Sequence, residues 1–218
     1  GVPHIVARAK TQLHGQTLER VGADVVVHST TKFINGHGTV IGGAVVSADA
    51  EYMENGPGKK LRFMGGAVPS AFDCWLTNIG LKTLPLRMRQ HCINARVVAE
   101  FLDGHAKVDQ TYWPGLPSHP KHDVAARQMS DFGAMISIDL GSYAAAGRFM
   151  SGLSLCSLAV SLGNVDTLVQ HPASMTHRML SDEGRTASGI TPGLVRLSVG
   201  IEDADDIVAD LRNALTNI

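Results

Sequence analysis

Lys32 is the residue of this sequence with the clearest capacity for covalent chemistry. It lies in the stretch GADVVVHSTTKFINGHGTVIGG, residues 22–43, between a hydroxyl-rich run and a glycine-rich run. A lone lysine on a loop is most often a solvated charge. Here, however, Ser29, Thr30 and Thr31 place three hydroxyl groups and adjacent backbone N–H groups directly before it. Such a cluster at a strand end is suited to binding an anion such as phosphate.

A lysine beside a phosphate-binding loop predicts an amine that forms an imine. Attack of such an amine on an aldehyde gives a Schiff base, and pyridoxal phosphate carries both the aldehyde and a phosphate. The spacing by itself does not distinguish this chemistry from a solvated lysine.

The segments on either side of Lys32 are predicted to be buried strands. ADVVVHS, residues 23–29, and TVIGGAVVS, residues 39–47, are rich in β-branched residues. A polar turn that contains glycine separates them. Lys32 is therefore expected on a loop at a strand end.

The remaining elements predict a mixed fold, with an α/β portion first and an α+β portion after about residue 104. Apolar residues spaced by three or four predict a long helix, and they are Leu81, Leu84, Met88, Cys92, Ala95, Val98 and Leu102. Residues 103–122, dense in Pro, Gly and His, predict a surface connection into a second unit. Further strands are expected at 133–140 and 193–200, and helices at 143–153 and 202–218.

Composition and charge narrow the class of protein. The chain has 218 residues, a net charge of -1 and 44% hydrophobic residues. These values are typical of a globular protein with a substantial core. The chain has no excess of basic residues, so its charge does not indicate a nucleic acid or a membrane surface as a partner. Cys74, Cys92 and Cys156 are widely spaced, which predicts reduced packing thiols in a cytoplasmic protein. The start at GVPHIV suggests a piece of something longer.

Four segments resemble one enzyme family. GADVVVHSTTKFINGHG closely resembles the lysine segment of the pyridoxal-phosphate enzymes of cysteine and methionine metabolism. This family comprises cystathionine γ-lyase, cystathionine γ-synthase, methionine γ-lyase and the O-acylhomoserine sulfhydrylases. Its later signatures are resembled, in the family's order, by GAVPSAFDCWLTNIGLKTLPLRMRQH at 66–91, SLGNVDTLVQHPASMTH at 161–177 and GLVRLSVGIEDADDIVADL at 193–211.

The resemblance implies a role for each matching residue. Lys32 matches the lysine that forms the Schiff base with pyridoxal 5'-phosphate and later carries protons. Ser29 and Thr31 match hydroxyls that bond the cofactor phosphate. Arg196 matches the arginine that binds the substrate α-carboxylate with its planar fork, although a strand-end salt bridge would be favoured without the family match. Ser161 matches a residue near that carboxylate, and a simple turn serine remains an alternative.

The resemblance also implies the fold and the activity. It implies the C-terminal part of a fold-type I, aspartate-aminotransferase-like α/β enzyme, with residues 1–103 as the rest of the cofactor domain and 104–218 as a smaller α+β domain. The reaction would be γ-elimination or γ-replacement on a sulfur amino acid or an O-acylhomoserine, by a carbon–sulfur lyase or transferase. SAFDCWLTNIGLKTL favours cystathionine γ-lyase, whereas DTLVQHPASMTH favours methionine γ-lyase or the sulfhydrylases, and we favour a γ-lyase. A homo-oligomer, a tetramer by resemblance, is expected.

Two departures support an alternative, namely a truncated or non-catalytic chain that acts as an oligomer partner. The family's aspartate for the pyridine nitrogen lies 25 positions before the lysine, where this chain has Ala7. Residues 7–20 share almost nothing with the family, through divergence or a local reading-frame disturbance. The family's upstream glycine loop and stacking tyrosine are not present in this sequence. No metal site is predicted, because the histidines of HPKH and HPASMTH come without the cysteines or acids of a zinc site.

Overall fold

The computed structural model describes the backbone of residues 6–9 and all of residues 25–218. The chain groups into two compact units, Gly1–Leu84 with Gln128–Ser130, and Pro85–Arg127 with Asp131–Ile218. The domain boundary after residue 103 stays a prediction. No helix in the part of the chain described here is long and apolar enough to cross a bilayer.

The first unit is built on a three-stranded sheet. Its strands, in the order β1-β2-β3, are β1 Val6–Ala9, β2 Val25–Ser29 and β3 Gly43–Val46. β1 runs parallel to β2, and β3 runs antiparallel to it. Two short helices follow, α1 Ala50–Glu54 and α2 Pro57–Phe63. This sheet places the end of β2 directly before Lys32.

The two strands predicted around Lys32 differ in burial. β2 was expected to be buried, and Val25 and Val26 are buried. The prediction of a buried strand over 39–47 was wrong, because only Gly43–Val46 is extended and Val45 and Val46 are exposed. Gly42 lies before this strand and its carbonyl oxygen accepts from the N–H of Thr30 at 3.0 Å, which keeps the preceding residues in a loop.

The predicted long helix, α3, runs over Ala71–Asp103 and so begins well before Leu81. Its predicted stripe is buried at Leu84, Cys92, Ala95, Val98 and Leu102. Leu81 is exposed, so the expectation that the whole stripe is core was wrong at that position. Phe72 and Trp75, near the start of helix α3, are exposed. Because these apolar residues do not face the core, the first turns of the helix show no amphipathic pattern from which their helical structure could be predicted.

The second unit is built on a five-stranded sheet of order β4-β5-β8-β7-β6. Neighbouring strands are antiparallel except β6 and β7, which are parallel. Of these strands, β5 and β8 were predicted. The strands are β4 Gln110–Tyr112, β5 Met135–Asp139, β6 Ser157–Leu158, β7 Leu168–Gln170 and β8 Leu194–Ser198.

The second unit also contains the helices α4 His122–Gln128, α5 Tyr143–Ser151, α6 Asp182–Ala187 and α7 Ala204–Thr216. Of these, α5 contacts both α7 and β8. Alternate strand residues form the apolar core, including Ile136, Ile138, Val169, Val195 and Leu197. Because side chains alternate along a strand, the intervening positions project from the opposite face. That opposite face carries Arg196.

Asp210 fixes the segment before β6. The carboxylate of Asp210 is buried and accepts from the N–H groups of Ser154, Leu155 and Cys156 at 2.8, 3.0 and 2.8 Å. Burial alone would raise the pKa of this carboxyl, but the backbone and thiol hydrogen bonds outweigh burial and lower it.

Two of the three cysteines are packing residues. Burial, together with Asp210, raises the pKa of the Cys156 thiol above its usual range. Burial and nearby Asp131 raise the pKa of Cys92 to about 11. Cys74 is exposed, so the prediction that all three thiols pack was wrong for this residue.

His91 is a fully buried histidine on α3 that the helical pattern did not reveal. Its Nδ1–H donates to the carbonyl oxygen of Val199 at 2.7 Å. Desolvation lowers the pKa of His91 to about 4, the hydrogen bond to Val199 opposes this shift, and the charge of Arg87 adds to it. His91 is therefore neutral in the folded protein at neutral pH.

We expect this histidine to make stability depend on pH. Below about pH 6.5 the unfolded chain protonates His91, whereas the folded chain resists protonation down to about pH 4. Stability is therefore lost as the pH falls, by about 3 kcal/mol across this interval. Urea unfolding at pH 7 and pH 4 should show a larger loss for the parent protein than for His91→Gln, which keeps a donor for Val199. Equal losses in the two proteins would contradict this assignment.

Candidate cofactor and anion sites

Lys32 lies in a tight turn that follows β2 without a break. Thr30–Ile34 form a single π-helical turn in which Asn35 N–H donates to Thr30 O at 3.0 Å and Gly36 N–H donates to Lys32 O at 2.8 Å. The backbone at Lys32 itself is not helical, with φ -93° and ψ -133°. The Lys32 residue is half-buried. Turns of this kind are frequent at functional sites, because they interrupt regular structure and re-aim a side chain.

Asn35 holds the loop that follows the lysine. The side chain of Asn35 is buried, and its Oδ1 accepts from the N–H of His37 and the hydroxyl of Thr39, each at 3.1 Å. Gly36 has φ 73°, a backbone conformation that a residue with a side chain rarely adopts. A Cβ at Gly80 would lie 2.1 Å from the carbonyl oxygen of Asn35, so α3 approaches this loop closely only because residue 80 is glycine.

The groups expected to bind phosphate have protein partners in this structure. The N–H groups of Thr30 and Thr31 donate to Gly42 O at 3.0 and 3.4 Å, so the expectation that these two amides hold an anion was wrong. The Thr31 hydroxyl donates to Gly42 O at 3.2 Å and accepts from Gly42 N–H at 2.9 Å. Ser29 is half-buried opposite Gly43 in the sheet. A phosphate contact from Ser29 or Thr31 stays a prediction. To donate to a phosphate, the Thr31 hydroxyl would have to give up its hydrogen bond to Gly42 O.

Arg196 lies on β8 in the second unit. Its Nη2 donates to the backbone carbonyl oxygen of Ser161 at 2.7 Å, so the structure brings together these two predicted substrate-binding residues. The Nε of Arg196 is buried and has no hydrogen-bond partner among the described residues. Burial lowers the pKa of the guanidinium below its usual value. A buried N–H donor on a charged group is costly to leave unpaired, and an anionic ligand would satisfy it.

Ser198 fixes the loop that orients Arg196. Its fully buried hydroxyl accepts from the N–H of Gly163 at 2.8 Å. The loop of residues 161–163 is therefore attached to β8 twice, through Arg196 and through Ser198. Sequence reasoning missed Ser198, since a serine in a predicted strand gives no signal of its own.

The residues present fit two requirements of pyridoxal-phosphate chemistry. A half-buried lysine lies at a strand end beside hydroxyl groups, as a covalent attachment point requires. Arg196 offers a buried N–H that has no hydrogen-bond partner within the described part of the chain, as a carboxylate site requires. The position where the resemblance predicts an aspartate is Ala7, which lies in β1 opposite Val26 and does not fit the third requirement, a partner for the pyridine nitrogen.

Comparison with known proteins identifies similar enzymes. Residues 11–216 match the family described as Cys/Met metabolism PLP-dependent enzyme. The chain is 51% identical over 200 residues to the L-methionine γ-lyase of Fusobacterium nucleatum subsp. polymorphum, with 91% of this chain and 50% of that protein covered. It is 49% identical over 207 residues to the cystathionine γ-synthase of Mycobacterium leprae, with 89% and 49% covered.

A solved structure shows the same fold. Cystathionine γ-synthase from Xanthomonas oryzae pv. oryzae, in complex with aminoacrylate and cysteine, superposes with a TM-score of 0.90 at 46% identity. This match covers 99% of the present chain and 56% of that chain. The chain spans about half the length of the curated relatives it matches.

Proposed function

Because the chain belongs to the Cys/Met metabolism PLP-dependent enzyme family and has the mixed α/β fold of its fold-type I members, we propose that it takes part in γ-elimination or γ-replacement. The substrate is a sulfur amino acid or an O-acylhomoserine. The observation that carries the proposal is Lys32, set in a π-helical turn at the end of β2 within the matched residues.

Lys32 is the residue we assign to proton transfer. Pyridoxal 5'-phosphate, when bound, supplies the electron sink that stabilises the carbanion left when an amino acid loses its α-proton. Lys32 Nζ would hold the cofactor covalently and, once released by the amino group of the substrate, would accept the α-proton as a general base. After passing that proton on to the cofactor, the same amine would accept a β-proton, and the γ-substituent would leave with its bonding electron pair. Ser29 and Thr31 would hold the phosphate.

Arg196 orients the substrate by its α-carboxylate. Its Nη2 is already held by Ser161 O at 2.7 Å, which restricts the guanidinium to one plane, and its buried Nε–H remains available. A pre-oriented planar fork loses less freedom when it binds a carboxylate than a flexible ammonium would. Ser161 therefore acts through its backbone carbonyl.

Among the activities of the family we favour a γ-lyase over a synthase. Support comes from the methionine γ-lyases of similar sequence, whereas a cystathionine γ-synthase of nearly equal identity keeps replacement as the competing reaction. The purified full-length protein, loaded with pyridoxal phosphate, should release an oxo acid from L-methionine or L-cystathionine. Formation of cystathionine from O-succinylhomoserine and cysteine, with little oxo acid from either amino acid, would assign a synthase instead.

Ala7 favours a second candidate function, that of a truncated, catalytically impaired chain that acts only as an oligomer partner of full-length relatives. Without an acid at this position the pyridine nitrogen is less readily kept protonated, and the electron sink is weaker. The discriminating variant is Ala7→Asp. If the parent protein is inactive and Ala7→Asp gains turnover, the parent is the non-catalytic partner; turnover by the parent itself supports the enzyme.

A further inference from the structure

Gln170 stands beside Arg196 in a row of polar residues that crosses the second sheet. In the strand register, Arg196 on β8 is paired with Gln170 on β7 and with Ser137 on β5. Residues paired across antiparallel strands project from the same face, with Cβ atoms about 5 Å apart. Gln170 and Arg196 are therefore side by side on the face opposite the apolar core.

The amide of Gln170 is deeply buried but incompletely paired. The residue is 1% exposed, its Nε2 lies 2.5 Å from Thr176 Oγ1, and its Oε1 is buried without a partner among the described residues. A separation of 2.5 Å is short for an N–H···O bond and falls within the range for O–H···O bonds. Oxygen and nitrogen of a side-chain amide are assigned from their hydrogen bonds.

Exchanging the amide oxygen and nitrogen of Gln170 explains both the short contact with Thr176 and the buried amide atom without a partner. The Thr176 hydroxyl then donates to Gln170 Oε1 over the short distance. Thr176 Oγ1 can still accept from His177 Nδ1, which lies at 2.9 Å. The Gln170 NH2 group then occupies the position that had no partner. Two buried donors, this amide and Arg196 Nε–H, consequently lie on the same face at paired positions.

We infer that Gln170 is a second hydrogen-bond donor of the Arg196 anion site and helps to select ligands that carry a carboxylate. The inference rests on the proposed role of Arg196. Two neighbouring N–H groups suit the two oxygens of one carboxylate, and each such bond to a charged group is stronger than a neutral one. Thr176 fixes the amide so that its nitrogen, rather than its oxygen, faces the ligand.

The test compares two ligands and two variants. L-Norleucine has no leaving group at its γ-carbon, so it binds without γ-elimination, and L-norleucinamide is the same ligand without the carboxylate. Gln170→Glu keeps the shape and an acceptor for Thr176 but replaces the donor by an anionic acceptor, which repels a ligand carboxylate. In the full-length, cofactor-loaded protein we expect it to weaken norleucine binding, measured by spectral titration, at least about tenfold. Norleucinamide binding should change little.

Controls separate failure of this inference from failure of the proposed function. Arg196→Lys should also weaken norleucine binding; if it does not, the carboxylate role of Arg196 fails first. If Arg196→Lys weakens binding and Gln170→Glu does not, or if Gln170→Glu weakens both ligands equally, the inference about Gln170 is overturned. An unchanged thermal unfolding midpoint of Gln170→Glu would show that any loss is local.

Discussion

Replacing Lys32 by alanine is expected to remove the visible absorption of the lysine-bound cofactor and to lower turnover by at least about a thousandfold. Lys32 is assigned both tasks, covalent attachment and proton transfer, and alanine can perform neither. The alanine side chain also removes the amine without disturbing the hydrogen bonds that form the turn, because Asn35 N–H and Gly36 N–H bond backbone oxygens of Thr30 and Lys32. The backbone hydrogen bonds of the turn are therefore expected to persist in Lys32→Ala.

The measurement for Lys32→Ala is an absorption spectrum after incubation with pyridoxal phosphate, together with the rate of oxo acid release. Lys59→Ala is the matched control, since Lys59 is an exposed lysine in the first unit. That control should keep both the spectrum and the rate. Persistence of the absorption in Lys32→Ala, as in the control, would mean that the band reports adducts on other lysines.

Arg196→Lys is expected to lower kcat/KM about a hundredfold while the cofactor spectrum stays unchanged. Lysine keeps the positive charge but lacks the planar fork, so the charge-assisted bond from the position of Nε–H to the carboxylate and the alignment given by Ser161 O are lost. Bonds to charged groups contribute about 1.5–3 kcal/mol each, which corresponds to roughly one to two orders of magnitude per bond. The loss should appear mainly in KM if Arg196 binds substrate and transition state equally.

Arg212→Lys is the matched control for this substitution. Arg212 is exposed on α7 in the same unit and lies over the ring of Phe101 at 5.1 Å, away from the polar row on β8. It should keep the parent kcat/KM. If Arg196→Lys has the kcat/KM of the parent protein, the carboxylate-binding role is contradicted and Arg196 is a structural residue at the strand end.

Elements with a strong local pattern were predictable from sequence. α7 was expected from its apolar spacing, and Ile207, Val208, Leu211, Ala214 and Leu215 are all buried. The strands β5 and β8 follow their predicted segments within a few residues. These elements could be predicted because each buries a continuous helical stripe or one face of a strand. The hydrophobic periodicity of the sequence therefore indicates which residues are buried.

The polar part of the α3 core could not be predicted in the same way. His91 and Asn94 are buried on this helix because they bond the carbonyl oxygens of Val199 and Gly200, more than one hundred positions away in the chain. A periodicity argument sees polar residues at these positions and assigns them to solvent. Only the tertiary fold supplies the hydrogen-bond partners without which burial of these polar side chains would be destabilising.

The candidate sites show the same division. Lys32 was singled out by its neighbours in sequence, and Arg196 by a segment that resembles a known family. Gln170 was missed because its significance depends on the β7–β8 register, which pairs it with Arg196. The partners of Thr30 and Thr31 were missed because Gly42, which accepts from both N–H groups, comes from the return of the chain toward β3.

The central claim is that Lys32 is the attachment point of the cofactor, and borohydride reduction tests it most directly. The full-length protein is incubated with pyridoxal phosphate, reduced so that any lysine linkage becomes permanent, digested and mapped by mass spectrometry. We predict that the cofactor mass is found on the peptide that contains Lys32. Labelling confined to another lysine, or no labelling at saturating cofactor, would contradict the claim.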